Sequence, residues 1–185
     1  MCVEIEAKLK VDSLKQIRNR LAELDARFLE EQLQTDYHFD DADKTLQRTD
    51  RCLRIRRQLS NQIERFFLTY KGPKEKSRLK KRQELEIKIE DADSTEKLLL
   101  ALGYKKVLTI EKKRRIWQIG ECEVALDELP LLGAFVEIEG PDEEKIAAVQ
   151  KALQLSDSPH IPQSYASLIK EKLSRLGKNQ TEVFL

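Results

Sequence analysis

With only two histidines, three cysteines and one tryptophan in 185 residues, the sequence is short of the side chains on which many site types depend. Cys2, Cys52 and Cys122 are odd in number and far apart, with no CxxC or Cys/His cluster, so neither a zinc site nor a disulfide framework is expected. Each lies in a strand-like run, where a buried reduced thiol is the plain expectation. His38 and His160 are distant in sequence and form no HExxH or triad arrangement. GxxxxGK, GxGxxG and GxSxG are missing too, which removes the common phosphate loops and the nucleophile elbow. There is no secretory segment, and the longest apolar runs are too short to span a bilayer, so a soluble cytoplasmic protein with no membrane partner is expected. Nor is there charge of one sign: 34 lysines and arginines stand against 33 acids, a net +1, where a nucleic-acid binder would show a basic excess.

What is present is charge in quantity, 36% of the residues, and regular alternation. No Pro/Gly/Ser-rich linker or internal repeat divides the chain. Residues 1–175 read as one domain and 176–185 as a tail, with Lys178–Leu185 frayed or dependent on a partner. Period-two segments predict strands at 2–10, 29–40, 51–59, 62–71, 79–90, 104–118, 121–128 and 134–139, with hairpin turns around Ser60-Asn61 and Gly120-Glu121. Ser13 with Gln16 is a capping box ahead of an apolar stripe, Leu14, Ile17, Leu21 and Leu24. Further helices are predicted from about 93 to Gly103, over 142–154 and over 163–175.

Charges fall on one face of each strand, because successive strand side chains point to opposite sides. Glu4, Glu6 and Lys8 alternate with Val3, Ile5, Ala7 and Leu9. Arg54 and Arg56 share a face, as do Arg82, Glu84, Glu86 and Lys88, then Lys112 and Arg114, then Glu137 and Glu139. Amphipathic helices need an apolar sheet face to cover, which turns the charged face inward if the sheet closes. Eight strands suit closure. The expected fold is therefore α+β: a closed eight-stranded antiparallel barrel, a tunnel, with helices packed outside. Acids cluster at both ends of the sequence and cations between them, a segregation suited to a polyanion and its metal. Glu4, Glu6, Glu137 and Glu139, joined by Asp127, offer hard oxygen donors for Mg²⁺ or Mn²⁺. Arg54, Arg56, Lys71, Arg82, Lys112 and Arg114 suit phosphate oxygens.

The ordered motifs resemble the CYTH, or triphosphate tunnel metalloenzyme, superfamily. Glu4-Ile5-Glu6-Ala7-Lys8 matches its ExExK signature, and Asp36-Tyr37-His38-Phe39-Asp40 and Thr49–Arg56 follow in the family's order. Leu68–Lys74 is similar to the LTYKGPK turn of the class IV adenylate cyclase branch, and Arg82–Glu86, Glu111–Arg114, Leu126–Glu128, Leu132–Glu139 and Ser164-Tyr165 complete the set. The resemblance implies metal ligation by Glu4, Glu6 and Glu137 with Glu139 and Asp127 assisting. It implies a triphosphate held by Lys8, Arg54, Arg56, Lys71, Lys112 and Arg114, with Arg82, Glu84, Glu86 and Tyr165 in the wall. Glu4, Glu6, Lys8, Lys112 and Arg114 form the expected catalytic set. His38 departs from the family's aromatic residue and is a core or tunnel-mouth histidine, or else a contact to the base or to a proton in flight.

Three readings follow: an adenylate cyclase making cyclic AMP and pyrophosphate from ATP, a triphosphatase acting on inorganic triphosphate, thiamine triphosphate or a nucleotide, and a non-catalytic polyphosphate or nucleotide-binding module. The apolar exterior could also support a homodimer.

Overall fold

A computed structural model describes residues 2–185; Met1 and the side chain of Cys2 lie outside the described part. Eight strands form the barrel: β1 Cys2–Lys10, β2 Arg27–Asp40, β3 Cys52–Ser60, β4 Ile63–Lys71, β5 Lys80–Ile89, β6 Lys105–Ile119, β7 Cys122–Leu129 and β8 Gly133–Glu139. Each begins and ends within two residues of its expected position. The order β2-β3-β4-β5-β1-β8-β7-β6 closes through antiparallel pairing of β6 with β2, so every strand of the ring has two neighbours.

Helices α1 (Leu14–Glu23), α3 (Ala92–Ala101), α4 (Glu143–Ala152) and α5 (Tyr165–Arg175) lie outside, with a four-residue α2 (Thr45–Arg48) that alternation does not reveal. Side-chain caps begin the longer four. Ser13 accepts from the Gln16 amide, Asp91 from Asp93 and Ser94, Asp142 from Lys145 and Ser164 from Ser167. The β3–β4 turn falls on Asn61 and Gln62, both at positive φ, one residue beyond its expected place.

The apolar core sits between barrel and helices rather than inside the barrel. Ala7, Leu9, Val124, Leu126, Val136 and Ile138 face outward beneath Ile17 and Leu21 of α1 and Ile146 and Val149 of α4. Each fully buried aliphatic side chain here contributes about 1.5–3 kcal/mol. Gly140 allows α4 to come close: a Cβ there would stand 2.7 Å from the Cys122 sulfur and 3.0 Å from Ile146. Cys122 is a buried free thiol and Cys52 a half-buried one. A second cluster joins Phe135 and Ile110 to Ile169 and Leu173 of α5, a third Phe39 and Ile55 to Leu99 of α3.

The C-terminal segment is docked in this structure. Glu182–Val183 form β9, parallel to Thr109 and Ile110, where β6 has run past the end of β7. Val183 is buried in the α5 cluster, so its apolar side chain gives the terminus an anchor. Among the described residues no helix is long and apolar enough to cross a membrane.

Candidate active site

The inward-facing side chains of all eight strands line one cavity of about 560 Å³. Every residue singled out from the sequence for substrate, metal or catalysis lies on its wall except Asp127, which is 0% exposed behind it. Strand register explains the convergence: Glu4 pairs with Arg82, Glu6 with Lys80 and Glu139, Lys8 with Glu137, Asp36 with Arg56, and Arg114 with both Gln32 and Asp127.

The cations of β3 and β6 are braced by aspartates. Asp36 accepts two hydrogen bonds from Arg56, at 2.6 and 2.7 Å, and one from Arg54 at 3.3 Å. Burial alone would raise the Asp36 pKa, but the two guanidinium groups hold it well below the usual range. Asp127 does the same for β6, accepting from Arg114 Nε at 2.7 Å and from Lys112 Nζ at 3.2 Å. It thus stands behind these two cations as their anchor and does not face the cavity with the glutamates. Lys112, desolvated and beside Arg114, is pushed down to about 7 despite Asp127.

The acids of β1, β7 and β8 are less settled. Glu6, Glu139 and Glu123 stand directly opposite one another across three adjacent strands, an arrangement that repels unless a cation intervenes. Burial first, then Glu4, Glu6 and Glu123, pushes Glu139 up to about 7. Lysines hold the others: Lys71 lies 2.8 Å from both Glu4 and Glu84, Lys80 2.6 Å from Glu6, and Lys8 3.2 Å from Glu137. Arg114 also pairs with Glu137. Among the described residues no three carboxylate, imidazole or thiol groups already converge as a finished metal cage. The donors nonetheless suit a hard divalent ion: all oxygen, on adjacent strands, with carboxylates crowded around Glu139.

Arg82 differs from the other cations. It is 3% exposed, its Nε has no hydrogen-bond partner among the described residues, and Nη1 reaches the Gly72 carbonyl oxygen at 3.5 Å. Arg54 Nε is likewise without a partner. Such buried donors are costly unless an anion answers them. Tyr165, at the start of α5, is the sole aromatic on the described wall, and its face is occupied by Lys8 at 4.2 Å and Lys112 at 4.9 Å. His38 is neutral, pushed to about 4 by burial and the nearby arginines, with Nδ1 3.5 Å from the Cys52 sulfur.

Sequence reasoning passed over Lys80, Gln32, Gln34, Gln58 and Glu123, all on the wall. Their signal was available. Gln32 and Gln34 continue the inward parity of Asp36 and His38, Gln58 that of Arg54 and Arg56, and Lys80 that of Arg82. A search for charge alone skips glutamine.

Comparison with known proteins converges on one family. The CYTH domain model matches residues 3–165. A candidate adenylate cyclase of Methanocaldococcus jannaschii is 34% identical over 175 residues, covering 90% of this chain and 98% of the relative. Adenylate cyclase CyaB of Aeromonas hydrophila is 29% identical over 181 residues, covering 97% of this chain and 83% of its own length. A solved Pyrococcus horikoshii protein superposes with a TM-score of 0.80 at 31% identity, covering 91% of this chain and 99% of its own.

Proposed function

The chain belongs to the CYTH family, and on that premise we propose that it is a divalent-metal-dependent phosphoryl-transfer enzyme that converts ATP to cyclic AMP and pyrophosphate inside the barrel. The observation that carries this reading is the closed ring of charge: cations on β3, β4, β5 and β6 face surplus glutamates on β1, β7 and β8 across one wet cavity.

Arg54, Arg56, Arg82 and Lys112 bind the triphosphate oxygens, and Asp36 and Asp127 keep all of these but Arg82 fixed before substrate arrives. Lys71, Lys80 and Lys8, paired with glutamates in the free protein, exchange those partners for phosphate. That exchange frees Glu4, Glu6 and Glu137 to join Glu139 in holding Mg²⁺ or Mn²⁺. A divalent ion held there would supply Lewis-acid neutralisation of the phosphate charge. In the cyclase reaction the ribose 3′-hydroxyl attacks the α-phosphorus and gives up its proton to solvent, the bond to the β-phosphate breaks, and Arg114 and Lys112 stabilise the departing pyrophosphate. Lys112, held near 7, takes up a proton as the polyanion docks beside it.

A second reading, hydrolysis of inorganic triphosphate, has one observation in its favour. The tunnel itself gives a nucleobase no free stacking face, since Tyr165 is already covered by two lysines.

The test is to incubate purified protein and Mn²⁺ with ATP and, separately, with tripolyphosphate. Cyclic AMP with pyrophosphate supports the cyclase, and orthophosphate release the triphosphatase. Binding of both ligands with no product from either would leave the non-catalytic module and sink the proposal.

A further inference from the structure

The tunnel wall changes chemistry along β2 and β3. Toward the His38 end, Asp36 and His38 on β2 face Arg56 and Arg54 on β3. Toward the opposite mouth the same strands turn uncharged amides inward: Gln34 and Gln32 on β2 and Gln58 on β3, with Glu30 beyond them. A triphosphate seated among Arg54, Arg56 and Lys112 therefore has one end beside the amides. In an in-line displacement the nucleophile and the leaving group lie on opposite sides of the phosphorus. With the departing pyrophosphate among the cations, the attacking group stands on the amide side.

Three side chains form a relay there. Gln32 Nε2 donates to Glu30 Oε1 at 2.7 Å, and Gln34 Nε2 donates to Gln32 Oε1. The outer end sets the direction, because a carboxylate accepts hydrogen bonds and cannot donate them. Glu30 takes the Gln32 amide nitrogen, Gln32 turns its oxygen to the Gln34 nitrogen, and a carbonyl oxygen is left at the inner end. That atom, Gln34 Oε1, is buried without a hydrogen-bond partner among the described residues, and Gln34 is 2% exposed. Neither register neighbour fills it: Gln58 on β3 does not reach it, and Lys112 on β6 donates to Asp127. An open acceptor buried in a cavity wall calls for a donor carried by the ligand. Ionised phosphate oxygens only accept. A hydroxyl can donate.

We propose that Gln34 Oε1 holds the hydroxyl that attacks phosphorus, and that Gln32 and Glu30 lock it in the accepting orientation. The ribose 3′-hydroxyl donates its hydrogen to this oxygen, which leaves an oxygen lone pair aimed at the α-phosphorus. The new O–P bond forms as the bond from the α-phosphorus to the bridging oxygen breaks. Pyrophosphate leaves with that oxygen, and the hydroxyl proton passes to solvent. Gln34 orients the nucleophile and takes no proton, so it is a catalytic residue without being a base; Gln32 and Glu30 are positioning residues behind it. This rests on the cyclase reading, and the test separates the two claims.

Turnover of ATP with Mn²⁺ is followed as cyclic AMP in the wild type, Gln34→Met and Glu30→Gln. Methionine keeps the length of the side chain and removes the acceptor, so kcat is expected to fall at least about tenfold while KM stays within about twofold. Glu30→Gln can donate as well as accept, so the relay loses its fixed direction; kcat should fall by a smaller factor, again at unchanged KM. Calorimetry with tripolyphosphate in EDTA shows whether each variant keeps its tunnel. Should Gln34→Met fail to fold, Glu30→Gln decides, and wild-type kcat there overturns the proposal. Wild-type kcat in a folded Gln34→Met overturns it as well and leaves the cyclase reading intact, whereas no cyclic AMP from the wild type overturns both. A higher Mn²⁺ concentration for half-maximal rate in Gln34→Met would make Oε1 a metal ligand, which also overturns the role given to it.

Discussion

The two sides of the barrel handle charge in opposite ways. On β2, β3 and β6 each buried cation group has its own aspartate: Asp36 for Arg54 and Arg56, Asp127 for Arg114 and Lys112. On β1, β7 and β8 carboxylates outnumber their partners, lysines serve several at once, and Glu139 is driven up to about 7. The braced side has its electrostatics settled before any ligand arrives. The acidic side does not, and its repulsion is relieved only when a cation enters. One wall is built to present fixed charge and the other to receive it.

The strongest way to break this contrast is to remove a brace. Asp127→Asn should destabilise the fold by about 3 kcal/mol, because Lys112 would remain buried without its carboxylate and Arg114 would keep only Glu137. Urea unfolding measures it, and tripolyphosphate should recover part of the loss by supplying the missing anion. A loss below about 1 kcal/mol would mean that Asp127 is not an anchor. On the acidic wall the cost should appear in rate instead. Glu4→Gln with Glu137→Gln should lower turnover at least about a hundredfold, about 2.7 kcal/mol of transition-state stabilisation. Near-unchanged turnover with Mn²⁺ would refute the roles given to these glutamates.

Much of this was readable from alternation, for a physical reason. In a closed barrel the inside and outside of every strand differ in kind, so a period of two reports the face directly. Glu4-Ile5-Glu6-Ala7-Lys8 gives parity, boundary and chemistry together. Asp127 was not readable in the same way. It shares the inward parity of a metal ligand, and only its bonds from Arg114 and Lys112, with no surface left exposed, show it engaged from behind. The β9 segment escaped because two residues carry no periodicity; what fixes them is the vacant edge of β6 and the pocket for Val183. Helix α2 escaped because Asp40, five residues upstream of Thr45, supplies its amide acceptors.

Metal binding sharpens the comparison more gently. Mn²⁺ at ten times its dissociation constant should stabilise the wild type by about 1.4 kcal/mol, read as a rise in unfolding temperature. Glu139→Gln should lose most of that gain, since it removes the carboxylate that burial and Glu4, Glu6 and Glu123 repel most. An identical rise in the variant would place the ion elsewhere.

The smallest effect is expected at His38, on the braced wall beside Cys52. Burial, with Arg54 nearby, lowers its folded pKa to about 4 from an ordinary value of 6.5. Below pH 6.5 the unfolded chain therefore binds a proton that the folded chain refuses, and stability falls as pH drops from 7 toward 4. Because the ring is half-buried rather than sealed, the loss between pH 7 and pH 5 should be on the order of 1 kcal/mol, less than the full shift implies. His38→Tyr has no group titrating in this range and should remove that component, leaving other pH effects common to both proteins. Urea midpoints at the two pH values give the difference. If wild type and variant decline in parallel, His38 is protonated as readily in the fold as outside it, and neither burial nor Arg54 holds it neutral.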